Sequence, residues 1–114
     1  MSRFHFSKKY KIMTLNPNYD QIGKAFTQQY YMMFDNAAQR AGLINLYNAE
    51  QSLMTFEGNQ VQGSRAIMEK IGSLSFQKIA HIITTVDCQP TFDGGILINV
   101  LGQLKVSQLS VPVE

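Results

Sequence analysis

Residues 46–63, LYNAEQSLMTFEGNQVQG, read as a strand, a tight turn, a second short strand and a glycine that opens into a helix. Residues 52–57 alternate, so Ser52, Met54 and Phe56 share one face and Leu53, Thr55 and Glu57 the other. Glu57-Gly58-Asn59 is turn chemistry, because glycine and asparagine tolerate the positive φ that a chain reversal demands. The hairpin thus sets a large aromatic, Phe56, beside an acid, Glu57, at its tip. An aromatic with a charged lip suits a concave surface better than a sealed core.

Upstream of the hairpin, Asn16-Pro17 is a helix-entry signal, with asparagine as cap and proline at the first helical position. Tyr19, Ile22, Phe26, Tyr30 and Met33/Phe34 then recur at spacings of three and four, the apolar stripe of an amphipathic helix. Such a stripe is read as core, not as a cofactor site. Asp35-Asn36 ends the helix, and a shorter helical piece follows over about 37–44.

Downstream, residues 64–72 read as a short helix with Ile67, Met68 and Ile71 inward. Residues 76–88 form a long β run, with Ile79, His81, Ile83 and Thr85 on one face and Ala80, Ile82, Thr84 and Val86 on the other. PTFDGG (90–95) is a hairpin connection, its Asp-Gly-Gly supplying positive-φ positions. Residues 96–105 are nearly continuous in apolar side chains, as in a strand covered on both faces. The order predicts an α+β domain with helices on one side of an antiparallel sheet.

A chain of 114 residues, 45% apolar and 16% charged, is one globular domain near the small end. Its net charge of +2 is uneven: residues 1–12 hold Arg3, Lys8, Lys9 and Lys11 and no acid. That segment is expected to be a disordered basic extension. The remainder is mildly acidic, which argues against a nucleic-acid partner. No stretch approaches the roughly 18 apolar residues of a membrane span. Cys88 stands alone, so no intramolecular disulfide can form and a reducing compartment is the natural reading.

His81, Asp87 and Asp93 are the acid–base candidates. His81 and Asp87 lie on one strand about 20 Å apart by strand rise, too far to act as a dyad. His81 is read as a hydrogen-bonded structural histidine without a carboxylate partner. Two histidines and one cysteine show no metal-ligand spacing. Gly94-Gly95 is followed by a strand and makes no phosphate loop. No catalytic residue, metal or cofactor is assigned.

The residues themselves carry a resemblance. YDQIGKAFTQQYYMMFDN (19–36), LMTFEGNQVQG (53–63), LSFQKIAHIITTVDCQPTFDGG (74–95) and VLGQLK (100–105) resemble the nuclear transport factor 2 family, over residues 14–105. The resemblance implies a cone-like α+β fold, helices on a curved antiparallel sheet, in a domain taken as residues 13–105. It implies a homodimeric, non-enzymatic carrier, shuttling between cytoplasm and nucleus, that binds GDP-bound Ran and phenylalanine–glycine-repeat nucleoporins of the nuclear pore complex. Matched by motif, Phe56, Glu57, Ile79 and His81 would form the Ran-binding cavity and its acidic rim. Tyr19 and Asp35 would take part in nucleoporin-repeat binding. The other tenants of this superfold, small-molecule isomerases and dehydratases, fit less well while His81 lacks a carboxylate partner.

Residues 106–114 depart from the family pattern. Ser107 and Leu109 stand where acids are expected, and the last two strands are missing. The chain therefore reads as a C-terminally truncated or alternatively spliced form. It is expected to bind Ran more weakly and not to form the homodimer.

Overall fold

A computed structural model describes residues 15–74 and 78–107. The basic segment 1–12, Phe76 and the tail with Leu109 lie outside the described residues. The element order is α1 (Tyr19–Asp35), a 3₁₀ helix (Arg40–Leu46), β1 (Leu53–Phe56), β2 (Asn59–Gln62), α2 (Ser64–Gly72), β3 (Lys78–Pro90) and β4 (Ile96–Ser107). β1 and β2 are antiparallel, with Leu53 opposite Gln62 and Phe56 opposite Asn59. β3 pairs with β4, and the short connection 91–95 restricts that pair to antiparallel. The chain forms two compact units, one of residues up to 28 with 83–101 and one of 29–82 with the residues from 102 onward. α1, β3 and β4 contribute to both.

The second unit holds a core of Phe34, Leu43, Ile67, Ile71 and Ile79. Leu43 and Ile67 are fully buried. Leu43 comes from the 3₁₀ helix, the short helical piece expected over about 37–44, here tighter than an α-helix and shifted to 40–46. The chain turns there because the Asn36 side chain accepts the Ala38 N–H at 2.9 Å, an Asx turn that competes with helix continuation. Ile67 and Ile71, four apart, form the inward stripe of α2.

The hairpin folds at the expected residues, with one difference. Glu57 (φ 49°) and Gly58 (φ 83°) take the positive-φ positions, as in a type I′ turn; Asn59 does not. Gly63 opens α2 at φ 90°, and a Cβ there would fall 2.8 Å from the Ala49 carbonyl oxygen. Glycine is therefore required on two counts: backbone conformation and close approach.

In the first unit, α1 begins at Tyr19, two residues after Pro17. Asn16 does not cap α1 directly; its side chain accepts the Asn18 N–H at 2.8 Å, an Asx turn that leads into the helix. The buried stripe of the helix differs from the apolar periodicity. Gly23 and Thr27 are buried, while Ile22 is 44% and Phe26 42% exposed. Gly23 lies so close to β3 that a Cβ would sit 2.5 Å from the Cys88 Sγ. Thr27 satisfies its buried hydroxyl by donating to the Gly23 carbonyl at 2.8 Å.

Two strand expectations are also corrected. Along β3 the covered positions are Ile79, His81 and Ile83, then Val86, Cys88 and Pro90. Thr84 and Thr85 are both exposed, so the alternation changes phase there as one extra residue in a strand would make it. Thr85 thus leaves the face it was expected to share with Ile79. β4 is not covered on both faces: Leu97 and Leu101 are 65% and 62% exposed, whereas Ile96, Ile98 and Val100 are half-buried. Among the described residues, no helix is long and apolar enough to cross a membrane.

Candidate functional site

The second unit contains a cavity of about 310 Å³ lined by Phe34, Phe56, Glu57, Leu74, Ile79, His81 and Leu104. Each wall follows from local structure. The last turn of α1 presents Phe34. The end of β1 presents Phe56, and the tight turn sets exposed Glu57 beside it. Odd-numbered positions at the start of β3 turn Ile79 and His81 the same way. The lining is mainly aromatic and aliphatic, with one acid at the lip and one imidazole within, the pattern of a recognition pocket.

Lys70 of α2 stands over the Phe56 ring, its Nζ 5.5 Å from the centroid. That distance is within cation–π range. A second groove, about 410 Å³, runs along Gln29, Met32, Met33, Ala38, Gln39 and Gly42 and bears no ionisable group.

His81 has the carboxylate partner that reading along the strand did not find. The His81 backbone N–H donates to Asp35 Oδ2 at 2.7 Å, and its ring Nδ1 lies 2.6 Å from Asp35 Oδ1. Tyr31 and Phe34 pack on the imidazole, with centroids 4.5 and 5.3 Å away. No local signal could reveal this pair, because 46 residues separate its members. Asp87 and Asp93 do not join a catalytic cluster. Asp87 is exposed. Asp93 accepts from the Thr91 hydroxyl (2.5 Å) and the Gly95 N–H (3.2 Å) within its own turn, and these bonds hold its carboxyl below the usual range.

Phe56, Glu57, Ile79 and His81 thus lie around one cavity. Tyr19 and Asp35 are not brought together, being the first and last residues of α1, about 24 Å apart by helix rise. Tyr19 is half-buried. Deeper in the second unit, the Tyr30 hydroxyl bonds the Tyr47 hydroxyl. Burial raises both phenol pKa values, and the shared bond raises Tyr30 further while lowering Tyr47. Among the described residues, no group of three or more His, Cys, Asp or Glu could hold a metal ion.

The second unit thus offers an apolar pocket with one acid at its lip and a carboxylate-paired imidazole in its wall, the features of a recognition pocket. Residues 22–112 match the family model of the nuclear transport factor 2 (NTF2) domain. A probable nuclear transport factor 2 of Caenorhabditis elegans is 46% identical over 99 residues, covering 84% of this chain and 74% of that protein. Nuclear transport factor 2 of Kluyveromyces lactis is 41% identical over 99 residues, covering 86% and 77%. The solved nuclear transport factor 2 of Cryptosporidium parvum superposes with a TM-score of 0.78 at 41% identity, covering 86% of this chain and 77% of its own. The chain belongs to the nuclear transport factor 2 family. These relatives are named as transport factors, not as enzymes.

Proposed function

We propose that this protein is a nucleocytoplasmic transport adaptor that binds GDP-bound Ran through the Phe56/Glu57 pocket. The observation that carries the reading is the backbone of Glu57. A non-glycine residue at φ 49° is strained, and asparagine would serve the turn better than glutamate. A carboxylate kept in a strained position at the lip of an apolar pocket supports recognition of an aromatic side chain flanked by basic groups. Charge steers such a partner, and burial of the aromatic holds it. The relatives' shared name, nuclear transport factor 2, supports the same reading and a working place in cytoplasm, nucleus and nuclear pore.

For the phenylalanine–glycine repeats of nucleoporins, the resemblance offers Tyr19 and Asp35. The geometry favours Tyr19, whose ring is half-buried, over Asp35, whose two carboxylate oxygens are both engaged by His81. One observation favours a second reading. An imidazole paired with a carboxylate inside an apolar pocket could act as a general base on a small molecule, as in enzymes of this superfold. The names of the relatives weigh against it.

The test is calorimetric titration with Ran·GDP. Glu57→Lys replaces attraction by repulsion and should weaken binding by about 2–5 kcal/mol. Glu57→Asn should weaken it less while raising the melting temperature, because asparagine accepts the left-handed conformation. Unchanged affinity in both variants would reduce Glu57 to a solvated turn residue.

A further inference from the structure

We propose that Asp35 is a positioning residue for the pocket: it fixes the proton of His81 on Nδ1 and thereby offers Nε2 as a hydrogen-bond acceptor to the occupant. The inference rests on the pocket reading above and adds a residue that does not itself line the cavity.

A carboxylate can only accept, so the 2.6 Å contact from His81 Nδ1 to Asp35 Oδ1 requires the proton on Nδ1. The hydrogen bond at one ring nitrogen then decides the character of the other. In the neutral ring, Nε2 carries a lone pair. Among the described residues nothing bonds Nε2, while the ring lines the cavity. The orientation is over-determined. Asp35 also accepts the His81 backbone N–H at 2.7 Å, so strand position and ring are gripped by one carboxylate. Tyr31 and Phe34, from the end of α1, also pack against the imidazole, the first tilted at 46° and the second edge-on at 84°. Asp35 and His81 are only 24% and 19% exposed, so water competes weakly for the bond. The pocket then offers two acceptors of different kind, the Glu57 carboxylate at the lip and the His81 lone pair within. A basic-aromatic group carries the N–H donors that such a pair selects.

Asp35→Asn is the discriminating variant. Its amide can donate to Nδ1, which moves the ring proton to Nε2 and turns the acceptor into a donor. In the wild-type protein, nitrogen-15 chemical shifts of the histidine ring should report the Nδ1–H tautomer for His81. In Asp35→Asn they should report Nε2–H, and affinity for Ran·GDP should fall at least tenfold. On a His81→Ala background, Asp35→Asn should cause no further loss, because the group it positions is gone. Three results would overturn the proposal: an Nε2–H tautomer in the wild type, an unchanged tautomer in Asp35→Asn, or an equal loss of affinity on both backgrounds. Failure of the wild type to bind Ran·GDP would remove the functional reading and the recognition half of this proposal together. The tautomer measurement, which needs no partner, would still decide whether Asp35 sets the ring.

Discussion

In the first half of α1 the buried positions are Gly23 and Thr27, while the large neighbours Ile22 and Phe26 are 44% and 42% exposed. In the second half Phe34 is buried and Tyr30 and Met33 pack on the core around Leu43 and Ile67. One helix therefore uses two kinds of contact. Its second half buries side-chain area, which stabilises in proportion to the apolar surface removed from water. Its first half brings backbone against Cys88 and Ile96, where the absence of a side chain is the fitting feature. Apolar periodicity reads the first kind of contact and is blind to the second.

Opposite responses to changes in side-chain volume would sharpen this contrast. The largest effect is expected in the side-chain core. Leu43→Ala should lower stability in denaturant unfolding by about 2–5 kcal/mol, the cost of lost burial plus a cavity. A smaller loss, under about 1 kcal/mol, would show that the core around Leu43 collapses to fill the space.

Next comes the backbone contact, where adding a methyl should do the damage. Gly23→Ala sets a Cβ 2.5 Å from the Cys88 Sγ, and overpacking of that kind costs about 1–3 kcal/mol. Adding Cys88→Ala should recover much of that loss. Independent, additive effects of the two substitutions would refute the close-approach account.

The tyrosine pair gives a test in pH. Burial and the bond to Tyr47 raise the Tyr30 phenol above its ordinary 10.0. The folded state then holds a proton that the unfolded chain releases, so stability should fall as pH rises above about 10. In Tyr30→Phe that alkaline decline should be shallower, while stability near neutral pH drops by about 1 kcal/mol for the lost hydrogen bond. Thermal melts between pH 7 and about 11 read both effects. An identical slope in the two proteins would assign the decline to other groups.

The smallest effect belongs to the stripe that periodicity favoured. Ile22→Ala, on the exposed side of the first half, should cost about 1 kcal/mol or less, far below Leu43→Ala. Equal losses at Ile22 and Leu43 would mean that the first half of α1 is held by side-chain burial after all.

The site divides along similar lines. Phe56 and Glu57 are legible in the alternation of β1 and its turn, whereas Ile79 and His81 enter the site through the family resemblance, the strand period giving them only a shared face. The alternation of β1, the turn after it and the period of β3 set their directions locally. Leu74 and Leu104 carry no such mark: as sequence they are one leucine after a helix and one in an apolar strand. Phe34 reads as core stripe and is core, yet it also forms a wall of the cavity.

What the sequence determines by itself is what short-range chemistry controls. Asn16 makes the turn that leads into a helix, Glu57-Gly58 reverses the chain, Gly63 admits a conformation closed to other residues, and a spacing of four puts Ile67 and Ile71 on one face. These choices involve a few neighbouring residues whose steric and hydrogen-bonding preferences act before any tertiary contact exists. What only the tertiary structure decides depends on which distant groups meet. The burial of Gly23 instead of Ile22, the change of phase in β3 at Thr84 and Thr85, and the joining of Asp35 to His81 are of that kind. The sequence offers a helix with several possible buried faces and a histidine with several possible partners. The packing that excludes water selects among them, because a face or a charge finds its lowest free energy only against the neighbour that the completed fold supplies.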